Sequence, residues 1–318
     1  MIHTVDIVIP VYNESQAIQS FHHQLTAALE ALPYQFRLLY INDGSTDETQ
    51  LQLEQIFNGA PDVRIVELSR NFGHQAAISA GLDLVDADAV ITMDGDGEHP
   101  PAVIGQMLQL ADAGYDIVVA QRETGQKASW FKRWTSGAFY STINRIGDTK
   151  ISPGAADFRL ITRPVVDSLK KFHEYHRFLR GMFAWMGYRS ISLPYTPAER
   201  ISGKSKYSFK KMVNLAANAI FSFSLVPLYI AIAMGGLFIV LAVIEAIYVL
   251  SFWISRQQST LEPGWSSLMF VLLIVGGTIM ISLGFIGVYL GYIFQEVKGR
   301  PVYLIRRFLD HPSSDNSK

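Results

Sequence analysis

The sequence predicts an α/β domain, built on a mostly parallel sheet with helices on both faces, followed by two membrane-spanning helices. Before residue 122, short apolar runs typical of strands alternate with amphipathic stretches typical of helices. Alternation of this kind forms βαβ units, in which the strands lie parallel and the helices cover the sheet. In the last third, two long stretches carry almost no charge, as membrane-spanning helices do.

The composition limits the class of protein. The chain has 318 residues, of which 49% are hydrophobic and only 17% charged, and its mean hydropathy is +0.18. This is too apolar for an ordinary soluble enzyme, and the excess lies in the last third. A net charge of −1 argues against a nucleic-acid partner, which would require a strongly basic protein. The absence of cysteine excludes a disulfide framework and a cysteine zinc site.

Each element of the α/β domain is predicted from its residue pattern. Short apolar runs are typical of buried strands, and apolar residues at every third or fourth position are typical of helices. The predicted strands are Val5–Val11, Phe36–Ile41, Val63–Leu68, Ala89–Met93 and Ile117–Gln121, and the predicted helices are Gln16–Leu32, Thr49–Phe57 and Gln75–Leu84. The chain therefore begins with three complete strand–helix units.

The strand Ala89–Met93 ends in a run of acidic residues, Asp94, Asp96 and Glu98. Alternate residues of an extended chain point the same way, so the three carboxylates converge and repel one another unless a cation lies between them. Carboxylate oxygens suit Mg²⁺ or Mn²⁺. A solvated acidic turn is the common alternative for so short a pattern. The position at the carboxyl end of a buried strand favours a metal site, because open α/β sheets bind their ligands there.

Polar residues also follow the other predicted strands. Tyr12–Glu14 follow the first strand, Asn42–Asp43 the second and Arg70–Asn71 the third. The carboxyl ends of parallel strands meet at one edge of the sheet, so these ends and the acidic run form a crevice large enough for a nucleotide. A Gly-x-Gly-x-x-Gly fingerprint and a Walker loop are both missing, which excludes an ordinary dinucleotide-binding or P-loop domain.

Two stretches are long enough to cross a bilayer, which takes about 20 apolar residues. Residues 225–254 are apolar apart from Glu245, and residues 268–294 have no charge. A buried helix of a soluble protein is the alternative, but one this long and this apolar on all sides would be unusual. Lysines and arginines flank the outer ends of both stretches, whereas the loop between them has Arg256 as its single cation. The positive-inside rule therefore places both large ends in the cytoplasm.

The predicted organisation is that of a multi-pass protein of the cell membrane with both termini cytoplasmic. Its parts are a cytoplasmic domain at 1–206, an amphipathic juxtamembrane helix at 207–224, membrane spans at 225–254 and 268–294, an extracytoplasmic loop at 255–267 and a cytoplasmic tail at 295–318. The pairs Gly235–Gly236 and Gly276–Gly277 permit close helix contact, within one chain or between chains, and leave a homo-oligomer open.

Four ordered motifs carry a family resemblance. They are Val8–Glu14, Asn42–Asp47, Arg70–His74 and Met93–Asp96. Together they resemble glycosyltransferase family 2, whose catalytic domain has the GT-A fold. Arg200–Tyr207 and the two apolar stretches are similar to the polyprenyl-phosphate branch, which includes the dolichol-phosphate mannose synthases and the bactoprenol glucosyltransferases of the GtrB type. The resemblance covers nearly the whole chain.

The resemblance implies which residues hold the nucleotide-sugar donor. The nucleotide-sugar site would comprise Pro10, Tyr12, Glu14, Asp43, Asn71 and Asp94, with the first four holding the base and the ribose. Asp94, Asp96 and Glu98 would bind Mg²⁺ or Mn²⁺ across the diphosphate, where a cation stabilises the charge on the leaving group. The family's usual acidic stretch has Leu-Gln where Gly97 and Glu98 stand, so this chain has more negative charge at the site.

The resemblance also implies residues that act on the acceptor. Asp157 occupies the position assigned to the general base of inverting members. A phosphate monoester has its second pKa at about 6 and is already largely ionised at neutral pH, so Asp157 has the alternative role of orienting the acceptor or a cation. Arg122, Arg200 and Lys206 would neutralise the phosphates of acceptor and donor. With Asp157 and Asp96, they are the predicted catalytic residues.

The activity implied by the resemblance is inverting transfer of one sugar to a polyprenyl phosphate, such as undecaprenyl phosphate, for later extracytoplasmic glycosylation. UDP-glucose is the favoured donor, with GDP-mannose, UDP-N-acetylglucosamine and UDP-aminoarabinose as alternatives. A processive polysaccharide synthase is a second interpretation, but Arg177–Gly181 lacks the Gln-x-x-Arg-Trp motif of those enzymes. A non-catalytic membrane subunit is a third, against which the intact acidic run argues.

Overall fold

The computed structural model describes residues 2–122, 155–175, 177–196, 226–254 and 264–311. Arg200, Lys206, the predicted amphipathic helix at 207–224 and most of the predicted loop at 255–267 lie outside these residues. The chain forms two compact units, one of Met1–Asn218 with Arg300–Lys318 and one of Ala219–Gly299.

The first unit contains a mixed sheet with helices packed against it. Its strands are β1 (Thr4–Val11), β2 (Gln35–Asn42), β3 (Val63–Leu68), β4 (Ala89–Thr92), β5 (Ile117–Arg122), β6 (Ala155–Thr162), β7 (Ser190–Tyr195) and β8 (Ile305–Leu309). Its helices are α1 (Ile18–Leu29), α2 (Thr49–Gly59), α3 (His74–Leu84), α4 (Ile104–Asp112), α5 (Arg163–Leu169) and α6 (Leu179–Trp185), with a 3₁₀ turn at Pro101–Val103 before α4.

The strand order in the described sheet is β7-β5-β6-β4-β1-β2-β3-β8. The central strands β4, β1, β2 and β3 lie parallel, as does the β5–β7 pair, whereas β6 and β8 run antiparallel to their neighbours. All five predicted strands are present, and the prediction of a mostly parallel sheet is confirmed. The alternation of strand-like and helix-like stretches in the sequence did not predict the strands β6, β7 and β8.

The alternation of side chains along β1 explains why helices lie on both faces of the sheet. Ile7 and Ile9 point to one face, where they join a buried cluster with Phe21 and Leu25 of α1. Val8 points to the other face, where α3 packs so closely that residue 81 of this helix is a glycine. Each face of β1 is therefore covered by a helix that follows one of the parallel strands.

The strand β8 returns the chain to the sheet after the apolar helices. It pairs with β3 through Ile305–Leu309, and Arg306 contacts Glu67 at 3.1 Å. Beyond the strand, the imidazole of His311 stacks on Phe57, with the ring centres 3.9 Å apart. The segment predicted as a cytoplasmic tail thus contributes an edge strand to the first unit.

The second unit contains two long helices, α7 (Val226–Ile254) and α8 (Trp265–Val297), which contact each other. In the part of the chain that the structure describes, Ile274–Val297 is the one stretch long and apolar enough to cross a membrane. Leu228–Leu241 of α7 is apolar but shorter. The prediction of a spanning helix is thus supported for the second apolar stretch and not confirmed for the first.

The close packing of α3 on β1 predicts a difference between two helical glycines. A Cβ at position 81 would lie 2.3 Å from Cγ1 of Val8, a stiff β-branched side chain in the core, so Gly81→Ala should lower the free energy of unfolding by about 1–3 kcal/mol. Gly59→Ala is the matched control, because a Cβ there meets nothing within 4 Å. It should leave the free energy unchanged or raise it by up to about 1 kcal/mol. Thermal unfolding followed by circular dichroism measures both, and equal midpoints would contradict the packing.

Candidate active site

The candidate active site lies at the edge of the sheet where β1, β2 and β4 end and β6 begins. Because β6 is antiparallel to β4, its first residues reach the same edge as the last residues of β4. The Thr92 hydroxyl at the end of β4 donates a 2.5 Å hydrogen bond to the carbonyl oxygen of Asp157. Asp157 is thereby held at the edge from which Asp94 and Asp96 emerge.

Asp43 follows β2 and is hydrogen-bonded to the loop between β3 and α3. Its carboxylate accepts hydrogen bonds from the backbone N–H groups of Phe72 (2.7 Å) and Gly73 (2.9 Å). Asp43 is buried, and this burial raises the pKa of its carboxyl group although both N–H groups favour the ionised form. Asp43 therefore fixes the loop that leads into α3, which borders the predicted nucleoside site.

The other predicted nucleotide-sugar residues differ in accessibility. Tyr12 and Glu14 are partly exposed in the turn after β1, where the Glu14 N–H donates to the hydroxyl of Thr49 at 2.9 Å. Asn71 is exposed on the loop after β3, and Pro10 is buried inside β1. A ligand at this edge can therefore reach the side chains of Tyr12, Glu14 and Asn71 directly, whereas Pro10 is covered.

Asp94 is placed by two histidines that the sequence analysis did not assign. Its backbone N–H donates to Nδ1 of His99 at 3.0 Å, so the proton of that imidazole resides on Nε2, 3.7 Å from Asp94 Oδ2. His99 is buried and stacked on Phe158 at 5.0 Å. Nε2 of His74, the first residue of α3, lies 3.5 Å from Asp94 Oδ1. Asp94 is thus oriented from both sides.

The three predicted metal ligands do not form one ligand set. The described residues contain no group of three His, Cys, Asp or Glu side chains arranged to hold a metal ion. Glu98 is ion-paired with Arg122, whereas burial, followed by the charges of Asp94 and Glu98, raises the pKa of Asp96. Two neighbouring carboxylates suit Mg²⁺ or Mn²⁺, since Mg²⁺ usually binds through one or two carboxylates together with substrate phosphates. Asp94 and Asp96 fit that arrangement.

Asp157 is the most heavily paired carboxylate of the site. Nε and Nη2 of Arg180 donate to its two oxygens at 2.9 and 3.0 Å, Arg159 lies 3.5 Å away and His74 3.3 Å away. The Gln75 amide adds a weak contact at 3.5 Å. Burial opposes ionisation, but Arg180 and His74 outweigh it and hold the pKa of Asp157 well below its ordinary value. Asp157 is therefore a fixed anion, which makes it a weak proton acceptor.

His74 lies between the carboxylates of Asp94 and Asp157 and contacts both of them. Desolvation opposes the charged imidazolium, but the carboxylates of Asp94 and Asp157 raise the pKa of His74 to about 9. Since 39% of the side chain is exposed, solvent screens part of these attractions. At neutral pH the imidazolium links the carboxylate after β4 to the carboxylate of β6.

The structure brings together most of the predicted residues. Arg122 joins the site through Glu98, and Arg200 and Lys206 lie outside the described residues. His74, His99, Arg159 and Arg180 were missed. Arg180 is 23 positions from Asp157 along the chain, and no local pattern predicts an ion pair over that separation.

Comparisons with known proteins identify the family of the chain. Residues 6–170 match the family described as Glycosyl transferase family 2. An uncharacterized glycosyltransferase of Synechocystis sp. is 39% identical over 95% of this chain and 94% of that protein. The SfII prophage-derived bactoprenol glucosyl transferase of Shigella flexneri is 35% identical over 95% of this chain and 97% of that protein. The solved mannosyltransferase PcManGT of Pyrobaculum calidifontis, in complex with GDP-Man and Mn²⁺, gives a TM-score of 0.45 at 14% identity, covering 92% of this chain and 86% of that one.

The family match and the full-length relatives define the protein as a glycosyltransferase. More narrowly, the chain belongs to glycosyl transferase family 2, with relatives named bactoprenol glucosyl transferase over nearly its entire length.

The raised pKa of His74 predicts a pH dependence of stability. Its folded-state pKa of about 9 exceeds the ordinary value of 6.5, so protonation stabilises the fold fully below pH 6.5, and this contribution is lost as the pH rises through 9. The midpoint of thermal unfolding should therefore fall more between pH 6.5 and 9.5 in the wild type than in His74→Gln. His23→Gln, an exposed change on α1, is the control and should keep the wild-type profile. Parallel profiles for the wild type and His74→Gln would disprove this coupling.

Proposed function

We propose that this enzyme transfers one glucose from UDP-glucose to a polyprenyl phosphate, with inversion at the anomeric carbon. The observation that carries the proposal is the 35% identity with the bactoprenol glucosyl transferase of Shigella flexneri, which extends over 95% of this chain. It therefore includes both the carboxylate edge and the apolar helices. The products are UDP and a polyprenyl-phosphate glucose that serves later extracytoplasmic glycosylation.

Two carboxylates are the proposed ligands of the divalent ion. Asp94 and Asp96 would hold Mg²⁺ or Mn²⁺, and the bound ion would neutralise the charge that develops on the leaving diphosphate. His99 and His74 keep Asp94 in place through the contacts on either side of it. Glu98, with Arg122 beside it, is a less suitable ligand than the sequence predicted.

The donor nucleoside is proposed to lie at the ends of β1, β2 and β3. Tyr12, Glu14 and Asn71 present accessible side chains there, and Asp43 fixes the loop between β3 and α3. In this arrangement Asp43 holds the loop that borders the site, and the side chains of Tyr12, Glu14 and Asn71 contact the base and the ribose.

The chemistry at the acceptor needs no strong base. An ionised phosphate oxygen forms a bond to the anomeric carbon while the bond from that carbon to the diphosphate oxygen breaks, and no proton has to be removed at neutral pH. The low pKa of Asp157 agrees with a reaction of this kind, because an effective general base requires a pKa near the working pH.

We also propose that the catalytic domain lies at the cytoplasmic side of the cell membrane, as the distribution of lysines and arginines around the apolar stretches predicts. A polyprenyl phosphate resides in the bilayer, and Ile274–Val297 meets the length and composition of a spanning helix. We propose that 225–254 is a second span, that both termini are cytoplasmic and that 207–224 lies along the inner surface. Arg200 and Lys206, which precede that segment in the sequence, would then approach the phosphates.

The sugar is proposed from the names of the relatives, which are bactoprenol glucosyl transferases. Mannose, N-acetylglucosamine and aminoarabinose are the alternative sugars. Parallel assays with GDP-mannose and with the other UDP-sugars therefore belong to the same experiment.

The proposed function predicts metal-dependent transfer of radiolabel from UDP-glucose to undecaprenyl phosphate in detergent. EDTA should abolish the labelled lipid, and Asp96→Asn should lower the rate on the order of 100-fold, because a metal contributes several kcal/mol to the transition state. Asp62→Asn is the matched control, since this exposed residue precedes β3 at the opposite edge of the sheet.

Full activity of Asp96→Asn would exclude the assigned metal site. Labelled lipid from another nucleotide sugar alone would replace the donor and leave the reaction class standing. If no donor labels a polyprenyl phosphate, the proposed acceptor is wrong.

A further inference from the structure

A cavity of about 210 Å³ lies between the beginning of α3 and the beginning of α6. Its lining consists of Phe72 and Gly73 of the loop before α3, His74, Gln75 and Ala76 of α3, Asp157 of β6, and Phe178 and Arg180 at the start of α6. We call it the Arg180 cavity. Its volume is several times the roughly 30 Å³ that one water occupies in the liquid, so a phosphate group fits inside it. All of its lining residues belong to the first compact unit.

The charges around the Arg180 cavity favour an anion. The guanidinium groups of Arg159 and Arg180 flank the carboxylate of Asp157 at 3.5 and 2.9 Å. Asp157 is the one acidic side chain among the described lining residues, so two guanidinium charges surround one negative charge. Arg159 is buried beneath the Phe183 ring, whereas the Arg180 side chain is 22% exposed. Arg180 and the imidazolium of His74 are therefore the cations that a ligand in this cavity can contact.

The order of the strands places the cavity on the acceptor side of the reaction. Asp43 follows β2, Asp94 follows β4 and Asp157 lies on β6, and these strands are ordered β2-β1-β4-β6. At about 4.8 Å per strand, the start of β6 lies roughly 14 Å from the end of β2. Phe72 and Gly73, whose N–H groups donate to Asp43, line the side of the cavity that faces the donor. With the nucleoside at the β2 end and the diphosphate at Asp94, the β6 end is where the second substrate meets the sugar.

We infer that Arg180 binds the phosphate group of the polyprenyl acceptor in this cavity and that Asp157 is a positioning residue for Arg180. This inference rests on the proposed function. The paired hydrogen bonds from Nε and Nη2 to Asp157 fix the plane of the guanidinium. The Leu179 N–H donates to Gln75 Oε1 at 3.3 Å, which ties the start of α6 to α3. The cavity is thus preorganised by contacts that do not involve the donor.

The inference predicts a selective change in the Michaelis constants. Arg180→Gln should raise KM for undecaprenyl phosphate about tenfold or more, because a hydrogen bond to a charged group is lost, while KM for UDP-glucose stays within about twofold. Arg180→Lys should recover part of the loss because it keeps the charge. The matched control is Arg163→Gln, which removes an exposed arginine paired with Asp167 on α5.

Equal increases in both Michaelis constants, or a fall in kcat with KM for the acceptor unchanged, would overturn the assignment. A Lys variant no better than the Gln variant would also overturn it, since a charge effect requires rescue.

A second experiment on the wild-type protein tests the cavity without any variant. Inorganic phosphate should inhibit transfer competitively with undecaprenyl phosphate and not with UDP-glucose, and calorimetry should show undecaprenyl phosphate displacing phosphate while UDP does not. Displacement by UDP would assign the cavity to the donor diphosphate and overturn the inference. Calorimetry needs no turnover, so it tests this inference separately from the proposed function. If phosphate binds and undecaprenyl phosphate displaces it but no sugar is transferred, the proposed function is wrong and the phosphate site stands.

The role of Asp157 is tested by combining it with Arg180. If Asp157 acts by holding Arg180, Asp157→Asn should raise KM for the acceptor, and the double variant Asp157→Asn, Arg180→Gln should be no worse than Arg180→Gln alone. A general base would give a different result, namely a lower kcat at unchanged acceptor KM and effects that multiply in the double variant. That outcome would restore the proton-accepting role.

Discussion

One buried carboxylate constrains the whole candidate site. Asp157 is only 8% exposed, and an ionised group removed from water is stable only when other charges and hydrogen bonds compensate it. Arg180 of α6, Arg159 of β6 and His74 of α3 provide this compensation, so three separate elements must meet at one point. His74 also contacts Asp94, so α3 connects the carboxylate of β6 with the carboxylate that follows β4.

The antiparallel strand β6 explains how a second carboxylate reaches the ligand-binding edge of a parallel sheet. A parallel strand ends at that edge, whereas the antiparallel strand β6 begins there. The Thr92 hydroxyl donates a hydrogen bond to the carbonyl oxygen of Asp157 and holds Asp157 at the edge. The edge therefore combines the ends of β1, β2 and β4 with the start of β6.

The sequence predicted the parts of the fold that depend on local pattern. The five strands from β1 to β5 are apolar runs, and Asp43, Asp94 and Asp96 follow β2 and β4 at the predicted edge. Asp157 was assigned from the family resemblance alone, because no strand was predicted at β6. The strands β7 and β8 have mostly half-exposed or exposed residues, and β8 carries arginines that glutamates of α2 and β3 neutralise. Such pairings exist only after folding. The same reason applies to Arg180 and His74, whose partner Asp157 is distant in the sequence.

Arg122 offsets the charge of the third carboxylate in the acidic run. Glu98 adds a third negative charge close to Asp94 and Asp96, which would raise the cost of holding all three ionised. The guanidinium of Arg122 at the end of β5 pairs with Glu98 and offsets this charge. Arg122 was predicted to neutralise a phosphate, yet its contact in the structure is with Glu98. Glu98 and Arg122 therefore form an ion pair beside the carboxylates of Asp94 and Asp96.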